Sequence, residues 1–146
     1  MTSASKPFTP DHFTVWTEIP VTDMDKAIAF YGAVFKTELK VDDTGPNPIA
    51  IFPTTGTDSV AGHLYPGKPA ARGEGPTIHL ACPDALEQTM DRLHAAGGTV
   101  LSDPITIPPG RFAYCQDPDG NSIGLFESAR MAKTIDHAEI DRMQDA

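Results

Sequence analysis

The stretch Gly110 to Glu127, GRFAYCQDPDGNSIGLFE, limits what this chain can fold into more than any other. Two runs rich in aromatic and apolar residues, Arg111 to Gln116 and Ser122 to Phe126, flank Asp117-Pro118-Asp119-Gly120-Asn121. Pro118 fixes φ just after the reversal begins, and Gly120 supplies the positive φ that a side chain resists. The stretch therefore predicts a β-hairpin whose register is pinned by its turn. Strand alternation then puts Ser122, Gly124 and Phe126 on one face and Ile123, Leu125 and Glu127 on the other.

With 146 residues and 40% hydrophobic content, the chain suits one domain or two small fused modules. Its 11 basic against 20 acidic residues, formally −9, leave no Lys/Arg cluster to track phosphates, so nucleic acid and anionic membranes are not expected partners. No apolar run approaches the ~20 residues of a membrane span, and Met1 to His12 lacks the pattern of a secretory signal. A cytoplasmic location is the expectation. Cys82 and Cys115, in strand-like runs without CxxC spacing, read as buried thiols and not as a disulfide or a nucleophile.

Residues 1–12 read as a flexible arm. Phe13 to Ile19 alternates, with Val15, Thr17 and Ile19 on one side and Trp16 and Glu18 on the other, which predicts a strand. Thr22 or Asp23 can cap a helix whose apolar face carries Met24, Ile28, Tyr31 and Phe35. Three short strands are expected at Glu38 to Val41, Ala50 to Phe52 and Ser59 to Tyr65. After a linker at 67–75 the order returns: strand Thr77 to Cys82, helix Asp84 to Ala96 capped by Asp84 and stopped at Gly97-Gly98, strand Thr99 to Leu101, and the hairpin. Two βαβββ units in tandem result, 13–66 and 76–128, followed by a tail at 129–146 in which Met131, Ile135, Ile140 and Met143 have the spacing of a short helix.

With these elements in place the chain resembles the vicinal oxygen chelate superfamily, which holds glyoxalases, extradiol dioxygenases, and bleomycin and fosfomycin resistance proteins. The likeness covers about Phe13 to Glu127 and is carried by WTEIPVTDMDKAIAFYGAVF, LEQTMDRLHAAGGTVL and GRFAYCQDPDGNSIGLFE. It implies an α+β fold of two tandem βαβββ modules, a mixed sheet curled into a cup with helices outside, and a site inside the cup. In metal-dependent members the resemblance implies a divalent ion on four side chains, one from the first and one from the last strand of each module.

Carried over position by position, the first ligand falls on Trp16, seven residues before Asp23. Indole nitrogen is a donor without a free lone pair. The last falls on Gly124, four residues after Gly120, where there is no side chain. His79 stands near the third position, and Gly62 and His63 compete for the fourth. Glu127 is a tempting substitute for the missing carboxylate, but alternation turns it to the other face. No metal ligands are assigned and no cofactor is expected.

The residues then support a small organic ligand in the cup. Trp16 stacks on it, Glu18 and His79 orient it, and His63, Ser122, Gly124 and Phe126 complete the lining. The bland alternatives are that Trp16 is core, that Glu18 merely reaches the rim, and that His79 is a satisfied buried histidine. From a different class, a lyase, isomerase or dioxygenase would use Glu18 and His79 as its acid/base pair, or a displaced metal on His63 and His79. The resemblance also implies a homodimer, with the modules paired within a chain or exchanged between two.

Overall fold

The first helix starts on one of the two capping side chains that the sequence offers. In the computed structural model, which describes residues 6–56 and 58–132, the Asp23 carboxylate accepts the Lys26 backbone N–H at 3.1 Å and α1 spans Met24–Phe35. Such a cap satisfies one of the orphan donors of the first turn. Ala27, Phe30, Tyr31 and Val34 are the buried positions. Met24, Ile28 and Phe35, from the predicted stripe, pack against that core while partly exposed.

Around α1 the first module forms a sheet from β1 (Thr17–Val21), β2 (Lys40–Asp42), β3 (Ile49–Ile51) and β4 (Gly62–Pro66), in the order β1-β4-β3-β2. β1 and β4 run parallel, with Glu18 opposite His63 and Thr17 opposite Gly62. Ile19, Val21, Ala50 and Leu64 join α1 in the core. The first strand starts later than its alternation suggests. Phe13 and Val15 are 75% and 68% exposed, because pairing begins only where the Thr17 N–H reaches the Ala61 carbonyl. Upstream of that point no strand among the described residues offers the arm a ladder.

The second module carries β5 (Ile78–Ala81), α2 (Leu86–Ala95), β6 (Thr99–Val100), β7 (Ile105–Ile107), β8 (Gly110–Gln116) and β9 (Ser122–Ser128). Its sheet runs β5-β9-β8-β6, with β7 also paired to β8. The hairpin has the predicted register, Gln116 opposite Ser122 and Phe112 opposite Phe126. Its turn closes through the Gly120 N–H on the Asp117 carbonyl at 2.9 Å, with Gly120 at φ 90°. Strand β7 is an addition to the expected βαβββ order. It is exposed along its length and bordered by Pro104, Pro108 and Pro109, so it shows no alternation for sequence reading to find.

Helix α2 corrects a second expectation. Its N-cap is Ala85, which has no capping side chain, and the Leu86 N–H is instead taken at 3.0 Å by the Glu127 carboxylate from β9. Its end is as expected: Gly98 N–H to Leu93 carbonyl and Gly97 N–H to His94 carbonyl form the paired bonds of a Schellman stop.

Asp84, freed from capping, clips the modules together. It accepts from Arg92 at 2.9 and 2.8 Å and from Thr89 at 2.9 Å, and pairs with Lys36 at 3.0 Å. Arg92 also donates to the Val34 carbonyl of α1 at 3.0 Å. The Arg92 hydrogen bonds, followed by those of Lys36 and Thr89, hold the Asp84 carboxyl down to about 2. A carboxyl depressed by folding stabilises the protein above its unfolded pKa, and that stability is lost as pH falls from about 4 toward 2. Asp84→Asn should cost about 1 kcal/mol at neutral pH once solvent screening is allowed for. In urea unfolding the gap between variant and parent should close at the acid end of that window.

At the other end of the interface Tyr31 Oη donates to Asp117 at 2.8 Å, and Asn121 Nδ2 donates to the Pro20 carbonyl at 2.8 Å. Arg72, from the 67–75 segment, donates to Gln116 Oε1 and to the Pro118 carbonyl. One hydrophobic cluster spans both modules. The fold is α+β, with two modules whose sheets stay separate and do not close into a barrel. Residues 129–132 begin a helical turn, with the Met131 N–H on Ser128 Oγ at 3.0 Å. Ile135, Ile140 and Met143 lie outside the described residues. Among the described residues no helix is long and apolar enough to cross a membrane.

Candidate functional site

β1 and β5 are the end strands of their sheets, and a cleft of about 850 Å³ opens between them. Trp16, Glu18 and Ile19 border it from the first module, His79 and Ala81 from the second, with Phe35 and Phe52 among its apolar lining. Phe35 and Phe52 are lining residues that sequence reading missed. Each lies in a run whose pattern signals core, and only the separation of two sheet edges exposes them to a cavity.

One wall is organised by His63. Its Nε2 lies 3.2 Å from Glu18 Oε1, its cross-strand partner. Its Nδ1 accepts the Trp16 indole N–H at 2.9 Å, with the rings 5.8 Å apart and tilted by 52°. An indole can only donate, so Nδ1 supplies the lone pair and the imidazole proton belongs on Nε2, the nitrogen nearer Glu18. The pair therefore comprises a neutral imidazole and one carboxylate. The register settles the choice between Gly62 and His63, since Gly62 is buried opposite Thr17 while His63 shares the Glu18 face.

The other wall carries His79, which is exposed and lies opposite Gly124. Its ring is edge-on to Phe112 at 5.1 Å and Phe126 at 6.4 Å and tilted against Tyr114 at 6.0 Å. A Cβ added at Gly124 would land on the His79 ring, so glycine there is what lets the imidazole lie flat on the strand.

The predicted site residues thus divide. Trp16, Glu18 and His79 border the cleft, and His63 supports the first two from β4. Ser122, Gly124 and Phe126 share a face as expected but do not border the cleft. Phe126 stacks on Phe112 at 6.4 Å, Gly124 lies beneath His79, and Ser122 pairs with Gln116. The imidazole that lies against Glu18 is His63, at 3.2 Å, not His79. The bland alternatives hold only for Glu18, whose side chain is 66% exposed as at a rim; Trp16 is 46% exposed and so not core, and His79 is not buried.

The donors do not suit the divalent ion of metal-dependent relatives. Trp16 has no lone pair to give, Gly124 has no side chain, and the lone pair of His63, on Nδ1, is taken by the Trp16 N–H. Among the described residues no group of three His, Cys, Asp or Glu is placed to hold a metal. Cys82 and Cys115 are free and buried, and burial pushes both thiols up to about 11. At neutral pH they are protonated and poor nucleophiles.

The model of the glyoxalase/bleomycin resistance protein/dioxygenase superfamily matches residues 9–125. A protein named "Putative glyoxylase CFP32" from Mycobacterium tuberculosis is 30% identical over 117 residues, covering 79% of this chain and 44% of that protein. This chain therefore spans less than half the length of that relative. Among solved structures, a glyoxalase/bleomycin resistance protein from Streptomyces sp. CB03234 is 29% identical with a TM-score of 0.55, covering 77% of this chain and 98% of the other. Another, from Albidiferax ferrireducens T118, is 26% identical with a TM-score of 0.53, covering 79% and 97%. With its paired modules, its hairpin register and the span of the match, the chain belongs to the glyoxalase/bleomycin resistance protein/dioxygenase superfamily.

Proposed function

We propose that this protein binds a small, flat organic molecule in the β1–β5 cleft and does so without a divalent ion. The observation that carries the reading is the Trp16 indole, tied by its N–H to His63 at the border of a cleft of about 850 Å³. An aromatic plane beside a few polar groups is the usual make-up of a small-molecule site. Glu18 and His79 supply those polar groups, while Phe35 and Phe52 supply apolar surface. Trp16 is the one tryptophan in the sequence, so indole emission reports on this site alone. Titration with planar aromatic probes in excess EDTA should quench it saturably, and Trp16→Phe should weaken binding measured by calorimetry. Binding that appears only after Zn²⁺, Ni²⁺ or Mn²⁺ is added would overturn the reading.

A second reading is favoured by the Glu18–His63 contact at 3.2 Å. A lyase or isomerase would use Glu18 as the proton acceptor, with His63 orienting it and His79 facing the substrate from the opposite wall. That reading predicts turnover which falls at least about 100-fold in Glu18→Gln while ligand affinity is largely kept. Binding without turnover supports the first reading.

A further inference from the structure

The charges bordering the cleft are one-sided. Glu18 is the acidic residue on its lining, and among the described residues that line it none is lysine or arginine. His63 does not cancel that carboxylate, because an imidazole that accepts the Trp16 N–H at Nδ1 is neutral. The chain as a whole adds a field of the same sign, with a formal charge of −9. A carboxylate- or phosphate-bearing ligand would enter against Glu18 with no lysine or arginine on the lining to receive it, His79 being the one imidazole there. A protonated amine would meet a carboxylate within reach of an indole face, the arrangement that favours ion pairing and cation–π contact together.

We infer that the cleft selects an organic cation: a protonated amine carried on a planar apolar body, with the body against Trp16 and the ammonium on Glu18. This rests on the small-molecule reading above and adds a charge rule to it. The Glu18 side chain is 66% exposed, so solvent screens the pair and the preference is moderate.

The test uses three ligands that share one body: 2-(2-naphthyl)ethylamine, 2-(2-naphthyl)ethanol and 2-naphthylacetate. Each is titrated calorimetrically into the full chain at low ionic strength with EDTA present. The amine should bind roughly three- to tenfold more tightly than the alcohol, and the acid more weakly than either. In Glu18→Gln the amine should lose its advantage over the alcohol, so that the two bind alike. Equal binding of amine and alcohol, or tightest binding of the acid, overturns the charge rule and leaves the small-molecule reading standing. A preference for the amine that survives Glu18→Gln also overturns it, since the cation would then be recognised elsewhere. If none of the three binds at millimolar concentration, the charge rule and the small-molecule reading fall together.

Discussion

Glu127→Ala is expected to destabilise the protein by about 2–4 kcal/mol, the cost of losing charge-assisted bonds to Arg111 and of leaving the Leu86 N–H unmet. Glu127 is 3% exposed. Its carboxylate accepts Arg111 Nε at 2.9 Å and Nη2 at 3.1 Å, and the Leu86 N–H that opens α2 at 3.0 Å. Removing it leaves Arg111 with Glu87 alone, at 2.8 Å on the more exposed side. It also leaves the first turn of α2 without an acceptor, since Ala85 offers none. Glu127→Gln keeps an oxygen for Leu86 but loses the charge opposite Arg111, so its cost should be smaller, roughly 1–3 kcal/mol. Urea unfolding at neutral pH gives both values. A cost below about 1 kcal/mol for the alanine variant would mean that Glu127 is not the residue that fastens α2 to the sheet.

The second large effect is expected at Asp117, in the hairpin turn. It is 1% exposed and accepts Tyr31 Oη, Asn121 Nδ2, the Asn121 N–H and the Asp119 N–H, at 2.8 to 3.0 Å. Tyr31 stays a donor: burial first, and the Asp117 charge next, push its hydroxyl well above the usual tyrosine range. Asp117→Ala would leave the buried Tyr31 hydroxyl unpartnered and unfasten the turn from the first module. A loss of about 3 kcal/mol or more is expected. Tyr31→Phe removes one of the four donors and should cost only about 1 kcal/mol. The two changes should be less than additive in a double-mutant cycle, because the second removes a contact already lost. Full additivity would show that the tyrosine and the carboxylate do not act as one unit.

These two residues also mark what the sequence could reveal. The DPDGN turn was legible because its chemistry is local: proline and glycine dictate the backbone, and the backbone dictates the register of β8 and β9. The Asp23 cap and the Gly97-Gly98 stop were legible for the same reason. The cap of α2 was not, because its acceptor, Glu127, comes from the far end of the same module. Asp84 has the right residue type and spacing for a cap, yet Arg92, Lys36 and Thr89 claim it first. Strand β7 was hidden by prolines and by an exposure that erases alternation.

The site divides along the same line. That Trp16 and Glu18 share a face followed from periodicity, although Trp16 turned out to precede the strand. The pairing of Glu18 with His63 depends on parallel registration across an intervening helix and two strands, which leaves no trace in spacing. The cleft itself is a property of two sheet edges that stay apart. No stretch of sequence records it, and it separated Ser122 and Phe126 from the residues they were grouped with.

The proposal that an organic ligand is bound without an ion rests on Trp16, whose indole has no lone pair to give, and on Gly124, which has no side chain. Metal content tests this most directly. The protein is purified without chelator from cells grown with added zinc, nickel and manganese, gel-filtered, and analysed by mass spectrometry of its metals. The expected result is divalent metal well below one ion per chain, unchanged by His63→Ala or His79→Ala. One tightly held ion per chain, lost when either histidine is replaced, would contradict the account.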